Sequence, residues 1–209
     1  MGRSRTQNPP ARAAYHHGNL REALLEAGLA HLEKSGDQAL SLRELARQTG
    51  VAANAVYRHF ASKERLLVAL AAEGFRRLGA AQHRAMRDAR DPIQAMKLSG
   101  LAYIRFARAN PALFRLMFDR FANSQRDPEL AQAVRESFEQ LCAAVAAASK
   151  LGTADPRVSV RAIHALALVH GLSHLHLDGQ LADWVGDADA LTESVLQYAS
   201  QLRASTKSG

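Results

Sequence analysis

The chain has 209 residues, 47% of them hydrophobic, enough to bury a substantial core in one or two domains. Glycine and proline are sparse (13 and 6), and no β-branched alternation runs long enough for a strand, which makes the predicted fold all-α. The lone Cys142 excludes an internal disulfide framework and most zinc folds; the net charge of +7 is uneven, with 12 Lys and Arg against 7 acids up to Leu78 (+5) and 15 against 13 beyond it (+2).

Residues 1–14 read as a disordered basic arm. Arg3, Arg5, Arg12 and Arg21 all precede the first acid, Glu22. An arm of this kind can lie along phosphates or enter a minor groove, and its bland alternative is a tail that aids solubility. The first domain is placed at 15–62. Asn19 with Glu22 forms a capping pattern that opens a helix through Leu24, Ala27, His31 and Leu32 to about Ser35, where Gly36 closes it.

Ser41 to Lys63 carries the strongest signal. Ser41 and Glu44 form an S-x-x-E capping box, so a helix starts at Leu42 with Leu45 and Ala46 turned inward. Gly50 ends it, and Val51, Val56 and Phe60 supply the apolar side of a second helix. Two short helices joined by a tight turn make a helix-turn-helix, whose second helix here presents Asn54, Tyr57, Arg58 and His59 to DNA. The phenol of Tyr57 and the imidazole of His59 suit phosphate contacts, and each also suits plain packing.

A second domain, 63–204, opens with a helix capped by Ser62 and running from Lys63 to about Arg87, with Leu66, Leu67, Leu70 and Phe75 inward. Asp91-Pro92, Asn110-Pro111, Asp127-Pro128 and Asp155-Pro156 each set a capping side chain before a first-turn proline. The predicted helices are Pro92 to Ala109, Pro111 to Arg120, Pro128 to Leu151 and Pro156 to Leu177, with a last one from Asp187 to Arg203, nine in all. Residues 205–209 form a fraying tail. The longest uncharged apolar runs, Leu66 to Ala72 and Leu141 to Ala148, fall far short of a membrane span, so a soluble cytoplasmic protein without a membrane partner is expected.

Aromatic and Met side chains on two consecutive helices, Tyr103, Phe106, Phe114, Met117, Phe118 and Phe121, are candidate lining for a small-molecule pocket; His164, His170 and His174 would supply polarity. Residues of these types at helical spacing are more often plain core. His170 and His174 stand i, i+4 on one helix face, but no Glu, Asp or Cys nearby completes a tetrahedral metal set, so no metal is assigned. Catalysis is not expected either: there is no nucleophile motif, Gly-rich phosphate loop or placed carboxylate pair.

The stretch from Asn19 to Leu67, with its Tyr57-x-x-Phe60 pair and Ser62-Lys63-Glu64 leading into a long helix, resembles the TetR family of bacterial transcriptional regulators. Asn110 to Phe118 and Val169-His170-Gly171-Leu172 further resemble a subgroup with a Trp-x-x-x-His-Gly segment, in which Leu166 here replaces the Trp. The resemblance implies a ligand-responsive repressor without a cofactor. It would be a homodimer paired through its last two helices, reading palindromic double-stranded operator DNA and enclosing an unknown small-molecule effector. It also implies phosphate contacts from Ser41 and Arg43, groove contacts from Ala52, Ala53, Asn54, Tyr57, Arg58 and His59, and a backbone clamp at Lys63. Ala52, Ala53 and Asn54 stand where relatives often carry Ser, Lys and Gly, leaving Asn54 and Arg58 as base readers for adenine and guanine. The pairing surface is expected from Ala162, Ala165, Leu166, Val169, Leu191, Val195, Leu196 and Tyr198. Two other readings stand beside this one: an effector-independent architectural DNA-binding protein, and a metal-binding helical protein using the C-terminal histidines.

Overall fold

The computed structural model describes residues 20–121 and 126–205. Among them the chain forms ten helices and no strand: α1 (Leu20–Ala39), α2 (Leu42–Thr49), α3 (Ala53–His59), α4 (Lys63–Met86), α5 (Pro92–Ala109), α6 (Pro111–Phe121), α7 (Pro128–Ser149), α8 (Pro156–Leu177), α9 (Gln180–Val185) and α10 (Ala188–Ser205). The tenth is α9, a single short helix between Gly179 (φ 76°) and Gly186 (φ 72°), where the sequence predicts only a connection. Those two left-handed glycines were the available signal. Gly36, at φ 73° and ψ 172°, kinks α1 and lets one further turn follow to Ala39.

Most helix starts obey local chemistry. Ser41, Ser62, Asp91, Asp127 and Asp155 each accept a hydrogen bond from a first-turn amide of the helix they precede. The expected capping box at Ser41 is only half made. The Glu44 carboxylate turns away to Arg47 (2.6 Å) and Gln48 (2.9 Å), and the Arg47 hydrogen bond holds its pKa down at about 2.

Asn110 departs from expectation. Its side chain donates back to the Phe106 carbonyl (2.9 Å) and so terminates α5 instead of starting α6. The amides of Ala112 and Leu113 are taken by the two carboxylate oxygens of Glu33, at 3.3 and 2.9 Å, so α1 supplies the cap of α6 across 80 residues of chain. An acid at a helix N-terminus satisfies bare amides and complements the macrodipole. Replacing it, Glu33→Ala, is expected to lower stability by ~1 kcal/mol in urea titrations; an unchanged midpoint would show that water replaces it fully.

One continuous core runs from the first helices into the second half. It joins Leu24, Leu32, Leu45 and Val56 to Leu66, Leu70 and Leu78 of α4, and on to Phe114, Met117 and Leu130. Gly74 of α4 permits the closest approach of α6: a Cβ there would sit 2.6 Å from Met117 Sδ. Two smaller clusters lie further on, one around Leu101, Ile104, Leu172 and Leu196, the other around Val145, Val158 and Ala162.

By length and composition α8 is long and apolar enough to cross a membrane, which corrects the expectation that every apolar run falls far short. Arg157, Arg161 and four histidines interrupt its runs without lowering its average below that mark. It packs against α5, α7 and α9 as a bundle helix. The residues expected to form the pairing surface differ in exposure within the single chain. Ala162 and Leu196 are buried, Ala165, Leu166, Val169, Leu191 and Val195 partly so, and Tyr198 is exposed (63%), as are the large apolar side chains of Val160 (72%) and Ile163 (54%) on α8.

Candidate DNA-binding face and effector-domain cavity

The head presents a polar face with few internal commitments. Helices α2 and α3 meet through Leu45, Ala46, Val56 and Phe60, all buried, and this fixes which way the rest point. Ser41, Arg43, Ala52, Ala53, Asn54, Tyr57, Arg58 and His59 are all exposed, Tyr57 by 44% although it is aromatic. Gly50, at φ 69° and ψ 25°, closes α2 with its amide on the Ala46 and Arg47 carbonyls and turns the chain into α3. At the start of α3, Ala52 offers no side-chain cap.

Two cations of the head have partners within the protein. Arg21 belongs to α1, where it pairs with Glu129 of α7 at 2.6 Å and lies 5.6 Å from the Phe60 ring centre, so it is no part of an arm. The Lys63 ammonium donates to the Gln38 carbonyl at 2.9 Å, tying the start of α4 to the end of α1. Arg12 and the Asn19 cap lie outside the described residues.

The aromatic and histidine candidates of the second half come together in one packed group. Phe114 and Met117 are fully buried and Tyr103 is nearly so. Phe114 contacts Tyr103, Phe118, His170 and His174 with ring centres 4.9–5.7 Å apart. The Tyr103 hydroxyl and His170 Nδ1 share a hydrogen bond of 3.0 Å, and burial pushes the Tyr103 phenol pKa upward. Phe106 packs on the same core, and the Phe121 side chain lies outside the description. No group of three or more His, Cys, Asp or Glu able to hold a metal occurs among the described residues.

Burial, and then the charge of His174, lowers the His170 pKa from 6.5; burial likewise lowers that of His176, whose Nε2 meets Thr192 Oγ1 at 2.7 Å. Both rings are thus favoured neutral in the folded chain, whereas the unfolded chain takes up protons below 6.5. The stability they contribute is present in full above that value and is lost as pH falls through the lowered native pKa. Melting temperature is expected to drop between about pH 7 and pH 5, and His170→Gln to shallow the slope. Identical pH profiles for the two proteins would contradict this assignment.

A cavity of about 480 Å³ opens elsewhere in the second half, between the two smaller clusters. Its walls come from α4, α5, α7, α8 and α10, and of the sequence candidates only His164 reaches it. Met96, Leu141, Leu168, Val169 and Leu196 give it an apolar side, while Lys97, Lys150, Arg157 and Arg161 bring cations. Sequence reasoning missed these residues because they are dispersed over five helices, and only Lys150, non-glycine yet at φ 55°, has any local peculiarity.

Residues 24–70 match the family described as bacterial regulatory proteins, tetR family, and residues 96–198 match the one described as tetracyclin repressor-like, C-terminal domain. Among curated proteins, the nucleoid occlusion factor SlmA of Edwardsiella ictaluri (strain 93-146) is 32% identical over 124 residues, 59% of this chain and 62% of that protein. SlmA of Vibrio vulnificus (strain YJ016) is 35% identical over 101 residues, 47% of this chain and 51% of its own. The chain thus spans less than two thirds of the length of these relatives. Among solved structures, a protein of unknown function from Rhodococcus sp. RHA1 superimposes with a TM-score of 0.75 at 33% identity, covering 92% of this chain and 97% of the other. The TetR family transcriptional regulator PfmR from Thermus thermophilus gives 0.55 at 22% identity, covering 86% and 96%.

Proposed function

The chain belongs to the TetR family of DNA-binding transcriptional regulators, and from that premise we propose that it is a ligand-responsive repressor acting as a homodimer on a palindromic operator. The observation that carries this is the exposure of Asn54, Tyr57, Arg58 and His59 on α3 over a fully buried Val56. Residues 15–62 are the reading head, and residues 63–204 pair the protomers and hold the effector. The heads of a dimer must sit about 34–36 Å apart, or a multiple, to enter successive major grooves. An effector that binds better to a wider spacing lowers operator affinity by that difference, with α4 as the lever. The exposed Val160, Ile163 and Tyr198 form the pairing surface.

Light scattering on the purified protein is expected to give a dimer, and gel shifts with a palindrome from its own promoter a salt-sensitive complex, the affinity slope being about −0.9 per neutralised phosphate. A strictly monomeric protein, or one indifferent to DNA, would overturn the proposal. The SlmA relatives favour a second reading, an effector-independent DNA-binding protein of the nucleoid. That reading expects DNA affinity to stay constant with the cavity filled.

A further inference from the structure

The cavity has a chemical polarity that narrows what enters it. Four Lys and Arg side chains and His164 line it, together with no Asp or Glu. Two of those cations are engaged: Arg157 forks onto Asp155 at 2.6 Å, and Lys97 donates to Gln197 at 3.2 Å. Arg161 and Lys150 form none of the salt bridges among the described residues, although the charge of Arg161 reaches the Asp155 carboxylate and, after Arg157, helps to lower its pKa. Beside Lys150 the Ser149 hydroxyl is buried and unbonded, so a further polar group at this end lacks a partner. Lys150 occupies the left-handed position after α7 (φ 55°, ψ 40°), where glycine would sit without strain. The fold tolerates a strained backbone there and gains a cation on the cavity wall.

Around Gly100 the wall is largely apolar, its polar members Gln82, Ser99 and Lys97 being hydrogen-bonded within the protein. Val169 Cγ1 and the Leu196 methyls close against Gly100, 3.3 and 3.6 Å from where a Cβ would stand, with Leu168 alongside. Arg161 and Leu168 lie seven residues apart on α8, about 10 Å along the axis. A cationic end with no carboxylate in its wall, joined to a largely apolar end over that span, matches one class of small molecule. We propose that the cavity binds an amphipathic organic anion, its carboxylate at Lys150 and Arg161 and its apolar body running toward Leu168, Val169 and Leu196.

This rests on the reading of the second half as an effector domain, and the test separates the two. Calorimetric titration of the full chain uses three molecules with the same tail: decanoate, decan-1-ol and decylammonium. Decanoate is expected to bind once per chain and at least about tenfold tighter than the alcohol, as charge-assisted hydrogen bonds require, and decylammonium not at all. Arg161→Ala and Lys150→Gly are each expected to weaken decanoate about tenfold and leave the alcohol unchanged. The glycine variant keeps the backbone in its preferred residue, so it serves where the arginine variant folds poorly. Failure of decanoate to bind, equal affinity for acid and alcohol, or wild-type affinity in the folded variants overturns the anion site. Gel shifts with and without decanoate form the separate arm. Arg161-dependent binding that leaves DNA affinity untouched upholds the site and removes the ligand-responsive reading; intact DNA binding without decanoate binding does the reverse.

Discussion

Tyr57→Ala is expected to lose most operator affinity while melting like the parent protein. The ring is 44% exposed on a helix anchored by Val56 at 0% and Phe60 at 2%, so truncation removes a surface group and leaves the packing intact. An aromatic ring ordered by only two torsions holds its hydroxyl toward a phosphate at little entropic cost. Arg58→Ala removes a guanidinium able to read guanine, at ~1–3 kcal/mol per site, and a dimer engages two half-sites, so ~2–6 kcal/mol in all. The two variants should differ in kind. Fluorescence anisotropy against operator and scrambled duplexes should find Tyr57→Ala weakened on both and Arg58→Ala weakened mainly on the operator. Wild-type affinity in both variants would remove α3 from the interface.

Phe114→Ala is expected to cost ~3–5 kcal/mol of unfolding free energy, a large part of the ~5–15 kcal/mol that keeps a typical domain folded. The side chain is fully buried, and four rings surround it. Truncation opens a void that Tyr103 cannot close without breaking its bond to His170. Urea denaturation measures the loss directly. A cost under about 1 kcal/mol would mean that Phe114 faces open space, as the sequence-based assignment of these aromatics to a ligand pocket supposes, and not a packed core.

What could be read from sequence was what neighbouring residues decide among themselves. The Asp-Pro starts at 91, 127 and 155 and the Gly50 stop hold because a cap needs only a few residues of chain. Asn110 followed the same pattern and failed, since Glu33, far away in sequence, already covered the amides it would have taken. The partners of Arg21 and Lys63, Glu129 and the Gln38 carbonyl, were not legible for a related reason: they are brought to them only by folding. On α8 the apolar residues surround the helix, so periodicity gave no preference between Ala162 and Val160 for the inner side. The cavity was invisible because no single segment contributes enough of its wall to leave a pattern.

The reach of Glu33 from α1 to α6, with the core that passes unbroken from Leu24 through Leu70 to Phe114, bears on how such regulators can be recombined. A cut after Ser62 would strip Leu66, Leu67 and Leu70 from the head and leave α6 with uncovered amides. A chimera must therefore carry the opening turns of α4 along with the head, and a carboxylate at position 33 matched to the recipient's sixth helix. The transplantable part of this molecule is larger than its reading motif.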